Sequence, residues 1–134
     1  MYKTVNEGLL WNPISFDLTR GNPGYITTIA LAPSNPQVIY AGTSDGVIAI
    51  STDGGFQWTR FVFAVNRFFT KIVVNPNDPL HAVGLSSTFS APKITETRDG
   101  GQSFNSTISA TLPNVPVHTA LFVAGTSTFK AGTE

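Results

Sequence analysis

Hydrophobic positions along the chain fall in short runs that Gly, Asn, Asp and Pro interrupt every few residues. Val, Ile, Thr and Tyr are enriched in the runs, and turn sequences such as PSNPQ, SDG and DGGF separate them. No helical period accompanies this pattern, so the sequence predicts an all-β fold. The clearest stretch predicts four consecutive strands, at Tyr25–Ala32, Val38–Gly42, Val47–Ser51 and Gln57–Phe61.

One turn sequence, Ser/Thr-x-Asp/Asn-x-Gly-x-x-aromatic, occurs three times, as TVNEGLLW, STDGGFQW and TRDGGQSF. Its third position falls at Asn6, Asp53 and Asp99, which are 47 and 46 residues apart. The regular spacing indicates a structural repeat. The defining positions of the three copies are Thr4, Asn6, Gly8 and Trp11; Ser51, Asp53, Gly55 and Trp58; and Thr97, Asp99, Gly101 and Phe104.

A second motif recurs in step with the turns. The sequence ITTIALAPSNPQVIYAGT resembles FTKIVVNPNDPLHAVGL, and their prolines Pro33 and Pro76 lie 43 residues apart. A shortened third copy, VHTALFVAGTSTFKAGTE, ends the sequence. A period in the mid-forties with four strands per unit is typical of a β-propeller blade.

The turn motif also has a direct physical interpretation. A tight hairpin between the third and fourth strands needs positive φ angles, which Gly54 and Gly55 adopt without strain. The Asp53 carboxylate can accept hydrogen bonds from turn amides, and the Ser51 hydroxyl can add another. Trp58 then supplies a large apolar face for packing. We therefore expect Asp53 to hold the turn rather than to catalyse a reaction.

These motifs resemble the Asp-box, or bacterial neuraminidase repeat, of the sialidase-like β-propellers, and the resemblance covers nearly the whole chain. The second copy has the full pattern, the third has Phe104 in place of Trp, and the first has Asn6 in place of Asp. In style the repeats are most similar to xyloglucanases, sortilin-type receptors and photosystem II assembly factors. The resemblance implies the fold, favours an extracellular, periplasmic or cell-surface location for the parent protein, and leaves the activity open.

The repeats predict a single partial propeller of about three four-stranded antiparallel blades over residues 1–134. Residues 1–15 end one blade, residues 25–62 and 68–109 form two blades, and residues 117–134 start another. An open array of blades exposes strand edges and an apolar face. We therefore expect a piece of a longer repeat protein, or a unit that associates with other chains through its open blade edges.

Composition excludes several classes of function. Eight basic and eight acidic residues give a net charge of zero and no basic patch for nucleic acid. Cysteine is absent, and no apolar run approaches the ~20 residues of a membrane span. His81 and His118 are isolated in the sequence, so we predict neither a metal site nor a cofactor.

The candidate ligand-binding residues are Asp17, Arg20 and Arg67, which lie in the connections between blades. The alternative for Asp17 is a solvated loop acid. The aromatic segment FVFAVNRFF (61–69) is expected in the core and between blades, or else on a ligand platform. We predict no catalytic residue, because the sialidase motifs have no counterpart here.

The expected function is a non-catalytic scaffold or binding module for a protein or carbohydrate ligand. One alternative is a fragment of a glycoside hydrolase, xyloglucanase-like or sialidase-like. The other is an assembly-factor-like propeller that binds a partner protein. A pair of acids facing the central channel would favour the hydrolase.

Overall fold

The structure is a computed structural model, and it describes residues 1–21, 23–64, 67–87, 92–106 and 110–133. These residues form no helix, and none of their segments meets the length and apolarity that a membrane-spanning helix needs. Their strands are β1 (Tyr2–Lys3), β2 (Asn12–Pro13), β3 (Ile26–Ala32), β4 (Asn35–Thr43), β5 (Val47–Ser51), β6 (Thr59–Val62), β7 (Phe69–Asn75), β8 (Asp78–Ser86), β9 (Ile94–Thr97), β10 (Val117–Phe122) and β11 (Phe129–Thr133).

The strands form four antiparallel sheets in chain order. They are an N-terminal hairpin (β1–β2), a first sheet (β3-β4-β5-β6), a second sheet (β7-β8-β9) and a C-terminal hairpin (β10–β11). The first sheet has the four strands that the sequence predicts. In the second sheet the expected fourth strand is reduced, among the described residues, to one bridge between Glu96 and Asn105. Residues 107–109 of that predicted blade lie outside the described residues.

The first two strands of each unit pair in the same register. A β-bulge interrupts all three pairings at the same place, between Ile26 and Thr28, between Phe69 and Lys71, and between Val117 and Thr119. The sequence repeat is therefore a structural repeat, and each residue of one unit has a counterpart in the next. Val38 and His81 are one such pair, and Ile50 and Glu96 are another.

The hydrophobic core lies between neighbouring sheets. Tyr40 and Phe69 belong to a cluster that fills the junction between the first and second sheets. Leu85 and Phe122 belong to a second cluster, between the second sheet and the C-terminal hairpin. Leu18 belongs to a third, on the opposite side of the first sheet. The first strands of successive units, β3, β7 and β10, also pack side by side.

Residues 65 and 66 of the aromatic segment 61–69 lie outside the described residues, and the others contribute mainly to this packing. Phe63 and Phe69 are buried, with ring centroids 5.4 Å apart. Phe104 of the next unit packs against Phe61, with centroids 4.8 Å apart. Phe68 points outwards and is partly exposed. The segment therefore joins the first sheet to the second and leaves one ring available at the surface.

The two ends of the first sheet carry different connections. One end, called the loop end, brings together residues 23–25, the β4–β5 turn at 44–46 and the segment 63–64. The other end, called the turn end, carries the turn from Ser51 to Trp58. Side chains at the loop end come from segments that are distant in sequence, so this is where a binding site can be assembled.

Candidate functional site

Each of the three repeated turns is closed by the same set of hydrogen bonds. In the second copy the Ser51 hydroxyl donates to Asp53 Oδ1 at 2.8 Å and accepts from the Gly55 amide at 2.8 Å. Asp53 Oδ1 also accepts from the Gln57 amide at 2.9 Å. The corresponding bonds in the other copies join Thr4, Asn6, Gly8 and Leu10, and Thr97, Asp99, Gly101 and Ser103.

Hydrogen bonding stabilises the charged form of the turn carboxylates. The Gln57 amide and the Ser51 hydroxyl lower the pKa of Asp53. The Ser103 hydroxyl and amide lower the pKa of Asp99 to about 2. A carboxylate that accepts several short hydrogen bonds is held ionised and is a poor proton donor near neutral pH. The geometry thus indicates that these carboxylates stabilise the turn.

The aromatic residue of a turn reaches back to the preceding unit. Trp58 Nε1 donates to the Ile14 carbonyl at 2.7 Å. Phe104 takes the equivalent place against Phe61. Trp11, at the same position of the first turn, is 57% exposed. In the second and third turns the aromatic residue therefore joins neighbouring units.

At the loop end, Asp45 ties the β4–β5 turn to the segment before β3. Its Oδ1 accepts from the Thr43 hydroxyl at 2.6 Å, and its Oδ2 accepts from the Arg20 amide at 2.7 Å. Gly24 lies so close that an added Cβ would meet Asp45 Oδ2 at 2.2 Å. Residues 17–21 and 23–24 are thus held in one position over the end of the first sheet.

Two of the candidate ligand-binding residues, Asp17 and Arg20, lie in this segment. Asp17 Oδ1 accepts from the Thr19 amide at 2.9 Å and hydroxyl at 2.7 Å, which lowers the pKa of Asp17. The Arg20 guanidinium donates to the Phe63 carbonyl, so it connects the segment to the chain that follows β6. Arg60 donates to the Thr19 carbonyl at 2.8 Å.

Arg67, the third candidate, differs from the expected surface cation. It is buried, and its guanidinium lies over the Phe63 ring, 4.5 Å from the centroid. Arg67 Nη1 also donates to the Ser106 hydroxyl at 3.4 Å, and burial lowers the pKa of Arg67. Its position indicates packing between sheets rather than contact with a ligand.

The structure also brings together polar residues that are isolated in the sequence. Buried His81 contacts Glu96 Oε1 through Nε2 at 2.8 Å, and Arg98 contacts the same oxygen at 2.7 Å. Asn75 Nδ2 lies 3.0 Å from His81 Nδ1, while Asn75 Oδ1 accepts from the Asn77 amide at 2.9 Å. The Asn75 amide group therefore donates to Nδ1, which leaves the imidazole proton on Nε2, facing Glu96.

Sequence reasoning missed this network, although the repeat contains its signal. The counterparts of His81 and Glu96 in the first sheet are Val38 and Ile50, both buried in the apolar junction. When two positions are apolar in one unit and both polar in the next, the two polar residues are expected to contact each other. Among the described residues no group of three or more His, Cys, Asp or Glu side chains is arranged to hold a metal ion.

A surface cleft of about 470 Å³ opens at the loop end. Three of its lining residues are Arg20, Tyr25 and Asp45, and the others are Gly21, Pro23, Gly24 and Ser44. Tyr25 is more than half exposed, and its ring meets that of Phe68 edge-on, with centroids 6.2 Å apart. The cleft thus has Tyr25 and a few fixed polar groups in its walls, and Phe68 lies beside it, against Tyr25.

Solved structures of other proteins contain the same arrangement of sheets. No protein-family profile and no curated protein matches the chain. Among solved structures, the GH74 enzyme of Niastella koreensis matches with a TM-score of 0.63 and 23% identity, over 78% of this chain and 16% of that protein. An ancestral GH74 enzyme matches with a TM-score of 0.62 and 21% identity, over 78% of this chain and 14% of that protein.

Both enzymes are β-propellers. The chain consists of β-propeller blades. YCF48 from Cyanidioschyzon merolae is less similar, with a TM-score of 0.49 and 17% identity over 66% of this chain and 25% of that protein. The all-β propeller prediction is confirmed. The chain spans about a sixth of the GH74 enzymes' length, so the likeness concerns the blades alone.

Proposed function

We propose that the chain is a non-catalytic propeller scaffold that binds a carbohydrate chain in the loop-end cleft. The observation that carries this proposal is the exposed Tyr25–Phe68 pair beside a cleft with fixed polar groups. Ligand sites typically combine apolar or aromatic walls with a few well-placed polar atoms. A sugar ring presents apolar C–H faces and polar edges, which match such a surface.

The bonding of the acids favours binding over hydrolysis. Glycoside hydrolysis needs two carboxylates facing each other across the scissile bond, one of them able to donate a proton. Six of the eight acidic residues accept hydrogen bonds or ion pairs within turns or between strands: Asp17, Asp45, Asp53, Asp78, Glu96 and Asp99. Glu7 belongs to the first turn, where it adopts a positive φ of 58°.

The fixed positions of the polar groups in the cleft also favour ligand binding. Asp45 and Arg20 are held by contacts to Thr43 and Phe63 before any ligand arrives. Polar groups that are already in place lose little conformational entropy on binding. Tyr25 is anchored through its backbone, since its amide donates to the Ser44 hydroxyl at 3.1 Å. Its ring is therefore presented from a fixed main chain.

Affinity electrophoresis in gels that contain dissolved xyloglucan or mixed-linkage β-glucan tests this proposal. The wild-type chain should be retarded in at least one gel. Tyr25→Ala should weaken retardation about tenfold, equivalent to about 1.4 kcal/mol. The matched control is Phe56→Ala, which removes a highly exposed ring from the turn end and should leave retardation unchanged.

Equal retardation of Tyr25→Ala and wild type would refute the cleft as the binding site. No retardation by either polysaccharide would contradict the carbohydrate proposal. Release of new reducing ends from the same polysaccharides would instead favour the hydrolase alternative. Circular dichroism of each variant verifies that the sheets are intact.

A further inference from the structure

Tyr25 and Phe68 occupy the same position in two neighbouring units. Each is the residue directly before the first strand of its unit, since β3 begins at Ile26 and β7 begins at Phe69. The two first strands pack side by side, and the two rings meet at the loop end. The next unit has Pro116 at this position, and Pro116 is buried. In the part of the chain that the structure describes, the exposed rings at this position are therefore a pair.

The angle between the two rings limits the shape of a ligand that can contact both. Their planes meet at 75°, and their centroids are 6.2 Å apart. Tyr25 is 57% exposed and Phe68 is 39% exposed, so each ring keeps surface that a ligand can reach. A flat run of several sugar residues needs ring faces that lie in one plane. Two nearly perpendicular rings instead form a corner, whose walls can contact the face and the edge of one sugar ring.

The polar groups of the cleft suit a neutral residue with several hydroxyl groups. Asp45 and Arg20 line the same cleft as Tyr25. Each Asp45 carboxylate oxygen accepts a hydrogen bond from the chain, and a carboxylate can accept about four in all, so sugar hydroxyls can donate to it. The Arg20 guanidinium has further N–H donors besides the one that contacts the Phe63 carbonyl. One carboxylate and one guanidinium balance in charge, so the lining favours neither an anionic nor a cationic sugar.

We propose that the corner between Tyr25 and Phe68 holds a single neutral sugar residue of the bound glycan. The rest of the glycan lies outside the corner, so additional residues add little to the affinity. This inference rests on the carbohydrate binding proposed above, and it adds that one residue is recognised rather than a run of residues. The edge-to-face contact is a preferred aromatic geometry, so the corner is formed before the ligand arrives.

Competition in the affinity gels tests how many residues are recognised. The competitors are fragments of the polysaccharide that retards the chain, from its constituent monosaccharides to hexasaccharides, compared at equal mass concentration. Inhibition should strengthen less than about tenfold from the shortest to the longest fragment. It should stay constant if any residue along the glycan enters the corner, and it should fall with length if only chain ends do. A rise of more than about tenfold would indicate contacts with several successive residues and would overturn the proposal.

Variants of Phe68 test whether both walls of the corner contact the sugar. Phe68→Leu keeps an apolar side chain but removes the flat ring, so it should weaken retardation about tenfold. Phe68→Tyr keeps the ring and should be retarded like the wild type. Phe56→Leu is the matched control, because it removes an exposed ring at the turn end and should leave retardation unchanged. Circular dichroism verifies that each variant keeps its sheets.

Failure of the corner and failure of carbohydrate binding give different results. No retardation in either gel contradicts carbohydrate binding, and the single-residue corner is then overturned with it. Retardation that depends on Tyr25, together with inhibition that rises steeply with fragment length, supports carbohydrate binding and overturns the corner. Retardation that Tyr25→Ala weakens and Phe68→Leu leaves unchanged also overturns the corner, since the second wall then contributes nothing.

Discussion

Gly101 is the position at which the contact between a repeated turn and the neighbouring sheet can be measured most directly. It has a φ of +84°, and an added Cβ would lie 2.2 Å from Ile50 Cδ1 of the first sheet. Gly125 has a similar φ of +73° with nothing within 4 Å of the added Cβ. Gly101→Ala and Gly125→Ala therefore share the backbone penalty and differ in the clash.

The expected effects follow from these two terms. A Cβ in the left-handed region costs about 1–2 kcal/mol. The lower entropy of the unfolded chain offsets about 0.4–1 kcal/mol of that cost. Gly125→Ala should thus lower the free energy of unfolding by about 0–1.5 kcal/mol. Gly101→Ala adds overpacking against Ile50, worth about 1–3 kcal/mol more.

Urea unfolding followed by tryptophan fluorescence and circular dichroism gives both free energies. Gly101→Ala should unfold at a clearly lower urea concentration than Gly125→Ala. The dependence of the free energy of unfolding on urea concentration should be unchanged. A third variant, Gly101→Ala with Ile50→Ala, removes the contacted side chain and separates the clash from backbone strain. If Gly101→Ala and Gly125→Ala lose the same stability, the close approach of the turn to the first sheet is refuted.

Two further predictions concern ionisable groups. Because the pKa of Asp99 is lowered from 3.8 to about 2, its ionised form contributes stability that is present above about pH 4 and lost as the pH falls through 2. Asp99→Asn should therefore flatten the fall of the melting temperature over that range, and an unchanged pH profile would contradict the assigned turn bonds. His81→Val with Glu96→Ile should lose less stability than Glu96→Ile alone, because apolar side chains occupy the same two positions in the first sheet, at Val38 and Ile50, and no buried imidazole N–H is left without an acceptor. Glu96→Ile alone should lower the free energy of unfolding in urea by about 1–3 kcal/mol, since the buried His81 N–H then lacks its acceptor. If the double variant loses more stability than this single variant, the two residues do not act as a pair.

Much of the fold could be predicted from the sequence because its determinants are local. The strand predicted at Tyr25–Ala32 is observed at Ile26–Ala32, and the one at Val47–Ser51 has the predicted bounds. Turn glycines and β-branched runs act over a few residues, so a single pass along the chain detects them. The second sheet departs from the prediction at its fourth strand, where the part of the chain that the structure describes forms only the bridge at Asn105.

The polar contacts were harder to predict because they join distant segments. His81 and Glu96 are 15 residues apart and meet because their neighbours Ala82 and Thr97 pair across β8 and β9. Arg67 reads as a loop cation, but the packing of Phe63 encloses its guanidinium. Hydrophobic pattern indicates which face of a strand is buried, whereas the partner of a buried polar group depends on register.

The turn end and the loop end of the blades are under different physical constraints. Because of this difference, we expect a ligand site at the loop end. A repeated turn closes only if a hydroxyl, a carboxylate or amide oxygen and a glycine stand at fixed offsets, so its sequence recurs. The connections between units carry no such requirement. Twelve residues separate Pro13 from Ile26, whereas six separate Val62 from Phe69. The longer connection supplies Arg20 and forms one wall of the cleft beside Tyr25, while the blade below holds that wall in place through Asp45. A repeat fold thus combines a frame fixed by local chemistry with a variable segment that is free to acquire a ligand.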